Sequence, residues 1–165
     1  MVKIIGKSSI YTDNCYIYKI ELPNRNSVYM NIISANYSYG DIYPIIVNSE
    51  KFLKYWKNVP KNDQINYELS HGNKKSWPLD RKYHDAEYGF TRGISNPVPI
   101  PKIKYIDNII PSYIIVLDCT RTIWLLANGA DSFPVECEGY NNAKNVYDFI
   151  GEKEFKFINI TDLMK

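Results

Sequence analysis

The run from Ile114 to Cys137 constrains the fold of this chain more than any other part of the sequence. Ile114 to Leu117 is a β-branched stretch that reads as a buried strand and ends in Asp118. Thr120-Arg121-Thr122-Ile123-Trp124-Leu125-Leu126-Ala127-Asn128 follows as a short helix, with Gly129 placed as its C-terminal stop. Phe133 to Cys137 is a further strand. Ala143, Val146, Tyr147 and Ile150 then recur at helical spacing, Gly151 closes that helix, and Phe155 to Ile160 reads as a last strand.

The N-terminal half carries the same mixture. Tyr16 to Leu22 alternates as a half-buried strand, Pro23-Asn24-Arg25-Asn26 is turn chemistry, and Val28 to Ile33 completes a hairpin. Tyr43 to Val47 is another short strand. Ser49 offers an N-cap for a helix that places Phe52, Leu53, Trp56 and Val59 on one face before Pro60 stops it. Trp56 and Trp124 read as core residues. The expected fold is α/β (α+β), a small mixed sheet with a few helices, built as one domain from all 165 residues.

Composition narrows the function classes by exclusion. Twenty Lys+Arg against eighteen Asp+Glu leave a net charge of +2, which excludes a disordered polyelectrolyte and argues against a non-specific DNA-coating protein. The longest charge-free apolar stretch, Ile109 to Leu117, is broken by Pro111 and falls far short of the ~20 residues needed to cross a bilayer, so membrane insertion is not expected. No signal-peptide pattern opens the chain, and a cytoplasmic location is the expectation. Cys15, Cys119 and Cys137 have no paired spacing, which argues against zinc and against disulfides. The abundance of tyrosine, with 15 residues, reads as compositional bias.

From Ser70 to Lys104 no period is sustained, and the segment reads as a long functional loop of about residues 70–104. It holds Pro78, Pro97, Pro99 and Pro101. Its cations Lys74, Lys75, Arg81, Lys82, Arg92, Lys102 and Lys104 outnumber its acids Asp80, Asp85 and Glu87, so the positive charge is concentrated there. An anion-facing wall and a solvated excursion are equally compatible with this. Lys82 and Arg92 are candidate phosphate contacts or transition-state stabilisers, and His84 is a candidate general base. Trp77, Tyr83 and Tyr88 are candidates for stacking on the bases of single-stranded DNA, or else for packing on the core.

The strand–helix junction at Asp118 is the sharpest candidate site. The first-turn amides of a helix are unpaired and carry the positive end of its dipole. Arg121 adds a guanidinium there, and Thr120 and Thr122 offer hydroxyls to a phosphate. The plain alternative is that Asp118 caps the helix and Arg121 pairs with a surface carboxylate.

An apolar strand, an acid, two residues, Arg, an Ala/Leu-rich helix and a Pro-Val strand together resemble the ParB/sulfiredoxin fold, whose corresponding segment builds a nucleotide- or phosphate-binding cleft. Asp118, Arg121 and Phe133-Pro134-Val135 occupy the matching positions, and Asn96-Pro97-Val98-Pro99-Ile100 is similar to the proline-bearing entry segment. A closer resemblance is to the plasmid fertility-inhibition factor family of the Osa/FiwA type. It rests on Gly89-Phe90-Thr91-Arg92-Gly93-Ile94-Ser95-Asn96-Pro97-Val98-Pro99, on Thr120-Arg121-Thr122-Ile123-Trp124-Leu125-Leu126-Ala127-Asn128-Gly129-Ala130, and on Phe133-Pro134-Val135-Glu136. It covers about a third of the chain, roughly residues 81 to 137.

This resemblance implies a factor encoded on a mobile element that blocks DNA export through a type IV secretion system. It would act near the coupling protein or on the single-stranded transfer DNA of a relaxase–DNA complex. It also implies ATP hydrolysis and DNA cleavage, for which ATP and Mg²⁺ are the expected cofactors; the candidate catalytic residues are Arg121, Arg92 and His84, and the candidate phosphate contacts are Thr120, Arg121, Thr122, Asn96 and Lys82. One departure matters: Leu117-Asp118-Cys119 stands where the family carries Asn-Gly-Ile. Asp118 is therefore a candidate Mg²⁺ ligand. Cys119-Thr120-Arg121 resembles the Cys-His-Arg of sulfiredoxin, which makes Cys119 the redox alternative. A third reading is a non-catalytic inhibitor that occupies a secretion component.

Overall fold

The computed structural model describes residues 1–9, 14–33 and 41–165. Three strands open it: β1 (Val2–Ser8), β2 (Cys15–Leu22) and β3 (Arg25–Ile33), paired antiparallel in sequence order. The turn between β2 and β3 is tight, and Arg25 and Asn26 already belong to β3. Next come β4 (Ile42–Asn48), α1 (Ser49–Trp56) and α2 (Gln64–Ser70). Asn48, not Ser49, caps α1: its Oδ1 accepts from the Lys51 amide at 3.0 Å, while the Ser49 hydroxyl donates to the Ala130 carbonyl.

The segment expected as a loop contains a 3-10 turn (Trp77–Leu79), a helix α3 (Tyr83–Thr91) and a two-residue strand β5 (Val98–Pro99). Helical spacing is present at Tyr83, Ala86, Glu87 and Phe90. It is masked in the sequence because the inward residue Glu87 is an acid. That carboxylate accepts from both Arg25 guanidinium nitrogens, at 3.1 and 2.7 Å, and from Trp124 Nε1 at 2.5 Å. The phenyl ring of Phe90 stacks on Trp124 at 4.2 Å between centroids.

The chain continues through β6 (Ile103–Ile106), β7 (Tyr113–Val116), α4 (Cys119–Ala127), β8 (Ser132–Glu138) and α5 (Tyr140–Ile150), and ends in α6 (Ile160–Leu163). Among the described residues the strands form one four-stranded sheet, β1-β2-β3-β5, with β5 parallel to β3, and two antiparallel pairs, β4-β8 and β6-β7. The fold is a mixed α/β arrangement of small sheets and helices. Trp56, Trp124, Phe52 and Phe133 are the largest wholly enclosed side chains of its core.

The expected strand Phe155–Ile160 does not form. Glu152 donates to the Ile46 carbonyl and Val47 bridges Gly151, so the segment begins to pair beside β4, but it then leaves the sheet. Side chains hold it instead. Phe157 stacks on Tyr43 at 4.7 Å with the rings nearly parallel, and the Tyr147 hydroxyl donates to the Phe155 carbonyl at 3.0 Å. Alternating aromatics therefore mark a strap over the sheet, and helix α6 takes up Ile160.

A candidate phosphate-binding cleft between α3 and α4

Helix α3 presents Lys82, Asp85, Ala86, Gly89 and Arg92 at three- and four-residue intervals, one face of a helix. That face, the β5 residues Val98 and Pro99, and Thr120 and Arg121 of α4 enclose a cleft of about 240 Å³. Four of the residues expected at a site (Lys82, Arg92, Thr120 and Arg121) thus meet in one place although nearly forty positions separate the first from the last.

Arg121 is fixed from within the chain: its Nη1 donates to the Pro99 carbonyl at 2.8 Å. Arg92 Nε donates to the Gly89 carbonyl at 3.3 Å, closing the turn after α3. Among the described residues none of Lys82, Arg92 and Arg121 has a carboxylate within ion-pair distance, which removes the plain alternative for Arg121. The other half of that alternative fails as well. Asp118 precedes α4 but makes no side-chain cap; its Oδ2 accepts from the Lys102 amide at 2.8 Å. The first-turn amides of α4 are left without a side-chain acceptor beside two guanidinium groups.

Several candidates lie elsewhere. Thr122 is fully buried and its hydroxyl donates back to the Asp118 carbonyl at 3.0 Å, so it faces the core rather than the cleft. His84 is exposed on α3 outside the cleft lining. Asn96 is half-buried in the turn after α3, where its amide donates to the Gly93 carbonyl, and it too lies outside the lining. Trp77 is buried with Nε1 donating to the Leu69 carbonyl at 2.8 Å, and the Tyr83 hydroxyl accepts from Asn128 at 3.1 Å. Of the three stacking candidates only Tyr88 is well exposed.

The cleft's single carboxylate is Asp85, which the sequence presents only as one of three acids in the 70–104 segment. The 82-85-86-89-92 spacing carries the signal that would have placed it. Asp118, with one oxygen committed to Lys102, lies outside the lining, and among the described residues no cluster of three or more metal-ligating side chains occurs. Cys119 is half-buried and donates to the Val116 carbonyl at 3.3 Å. Burial first, then the charges of Asp63, Asp118 and Asp80, push its thiol up to about 12, which favours the thiol over the thiolate that a redox role requires.

The family motifs divide between cleft and scaffold. Trp124 and Asn128 tie α4 to Arg25, Glu87 and Tyr83. Gly129 adopts φ +78°, and a Cβ there would meet Pro23 Cγ at 2.9 Å. Glu136 is buried beside Lys102, with Nζ 3.9 Å away. No helix among the described residues is long and apolar enough to cross a membrane.

The chain is 27% identical over 141 residues to the protein osa of Shigella flexneri, covering 84% of this chain and 70% of that one. A solved structure, the gold(I) cyanide derivative of the oncogenic suppression activity protein, described as a plasmid fertility inhibition factor, superposes with a TM-score of 0.82. That match covers 99% of this chain and 81% of the other, at 22% identity, and establishes a shared fold. The plasmid fertility inhibition factor family model matches residues 44–151, a span that includes every residue lining the α3–α4 cleft. The chain belongs to the plasmid fertility inhibition factor family.

Proposed function

We propose that this chain inhibits conjugative DNA transfer by holding a phosphate group in the α3–α4 cleft, either in the backbone of single-stranded transfer DNA or in a nucleotide. The observation that carries the reading is the convergence of Lys82, Arg92 and Arg121 on one cleft, none with a carboxylate partner among the described residues, beside the uncapped start of α4. Guanidinium groups suit phosphate because their planar donors bind two oxygens at once. Thr120 adds a hydroxyl donor at the same wall. Phosphate contacts of this kind position nucleic acid without reading its sequence.

The cleft's size suits a phosphate chain better than an enclosed nucleoside, since pockets that bury drug-sized ligands usually run from about 300 Å³ upward. ATP would therefore bind by its phosphates along Lys82, Arg92, Thr120 and Arg121, and Asp85 is the lining carboxylate that would hold a Mg²⁺, which would supply charge neutralisation. In a hydrolytic version, Arg92 and Arg121 stabilise transition-state charge. With His84 outside the lining, Asp85 is the carboxylate able to take a proton from an attacking water. The point of action would be the strand held by the relaxase, or its hand-over to the coupling protein of a type IV secretion system.

The test is the conjugation frequency of a co-resident plasmid with wild type and Arg121→Ala, paired with single-strand DNA binding at low and high salt. Wild type is expected to lower transfer, and Arg121→Ala to restore it and weaken DNA or nucleotide binding at least tenfold. Full inhibition by Arg121→Ala would favour docking on a secretion component instead.

A further inference from the structure

A second cavity, separate from the α3–α4 cleft, lies beneath the C-terminal strap. It measures about 270 Å³ and is walled by Ile4 of β1, Tyr18 of β2, Ile45 of β4, Tyr147 of α5, Phe155 of the strap and Leu163 of α6. None of these residues lines the α3–α4 cleft. The walls are mainly apolar, and the charged side chains, Glu154 and Lys156, belong to the exposed strap.

One wall group is out of place in a simple packing gap. Tyr18 is 3% exposed, yet its hydroxyl has no hydrogen-bond partner among the described residues. Asn31 Oδ1 is the one fully enclosed, unpaired polar side-chain atom among these residues, so the Tyr18 hydroxyl is within reach of open space, and the cavity that Tyr18 lines is space of that kind. Tyr16 lies two residues away on the same face of β2, its ring 5.4 Å from that of Tyr18, and extends the aromatic wall. A buried hydroxyl normally finds a partner, because leaving one unmade wastes its hydrogen-bonding capacity.

We infer that this cavity is a binding site for a small aromatic molecule bearing one hydrogen-bonding group, which pairs with the Tyr18 hydroxyl while its ring packs among Ile45, Tyr147 and Phe155. An apolar cavity of about 150 Å³ accepts benzene, so this one suits a two-ring compound of about ten to twelve non-hydrogen atoms. Entry is under the strap, which side-chain contacts rather than a strand ladder hold in place.

Calorimetric titration of the full chain with 2-naphthol, and separately with naphthalene, tests the assignment. Wild type is expected to bind one equivalent of 2-naphthol at least tenfold more tightly than naphthalene. Tyr18→Phe, which removes a hydroxyl with no hydrogen-bond partner among the described residues, should stay folded and bring the two probes within about twofold of each other. Ile158→Trp, which fills the cavity from the strap, should abolish binding of both with an unchanged circular dichroism spectrum. Absence of saturable 2-naphthol binding to wild type overturns the inference, as does an undiminished naphthol preference in Tyr18→Phe or undiminished binding in Ile158→Trp.

Discussion

The two ends of helix α4 do different work, although one continuous motif covers both. At the N-terminal end, Thr120 and Arg121 face the cleft and Arg121 has no acidic partner among the described residues. At the C-terminal end, Trp124 and Asn128 are locked into a network with Arg25, Glu87 and Tyr83, and Gly129 packs against Pro23. Most of Thr120–Ala130, the clearest family signature of the chain, is thus scaffold. A signature motif can mark a site while contributing only two residues to it.

Substitutions at the two ends should therefore separate stability from binding. The largest effect is expected from Trp124→Ala, which empties a fully buried indole site and strands the Glu87 and Phe90 contacts; urea denaturation should register a loss of about 3–5 kcal/mol. Glu87→Gln should cost about 1–3 kcal/mol, because the Arg25 pairing is lost and the geometry at Trp124 Nε1 is disturbed. The Glu87 carboxyl lies below its ordinary value of 4.5, first through its hydrogen bond to Arg25, and then through that from Trp124. A depressed folded value adds stability that is present above the unfolded value and is lost as pH falls through the folded one. The gap between wild type and Glu87→Gln should accordingly narrow as denaturation curves are taken from pH 7 down to pH 3.

Arg121→Ala is the converse case. Its single hydrogen bond to the Pro99 carbonyl limits the stability loss to about 1 kcal/mol, whereas phosphate binding should fall at least tenfold. Equal losses in both measurements would break the contrast between the two ends. The smallest effect is expected at Cys119. Cys119→Ser should leave conjugation inhibition within about twofold of wild type, and iodoacetamide should label the native thiol far more slowly than the denatured chain at pH 8.

The legible parts of the sequence were those where apolar side chains set the period. The β2–β3 hairpin, β4, β7, α4, β8 and α5 all emerge at nearly their observed bounds because their inward faces are hydrophobic. Helix α3 was hidden because Glu87 occupies an inward position, and its partner Arg25 lies 62 residues earlier. The strap failed in the opposite sense: Phe155 and Phe157 alternate like a strand but pack ring to ring. At the site, residue type led to Lys82, Arg92, Thr120 and Arg121, while Thr122 and His84 needed the rotation of their helices to be known. Asp118 does not cap α4 because its Oδ2 accepts instead from the amide of Lys102, a residue outside its own element.

The short run Pro97-Val98-Pro99-Ile100-Pro101 lacks three of its backbone donors, so its carbonyls serve neighbours: Pro101 accepts from the Glu136 amide at 2.8 Å and Pro99 from Arg121. The second of these bonds orders a long side chain before any ligand arrives. Freezing an arginine in one rotamer costs roughly 1.5–2 kcal/mol of conformational entropy, and here that cost falls on folding rather than on recognition. Of the five guanidinium N–H donors, one is committed to Pro99. Lysine at position 121 would keep the charge but lose the planar fork that would let one side chain hold the Pro99 carbonyl and the proposed phosphate together.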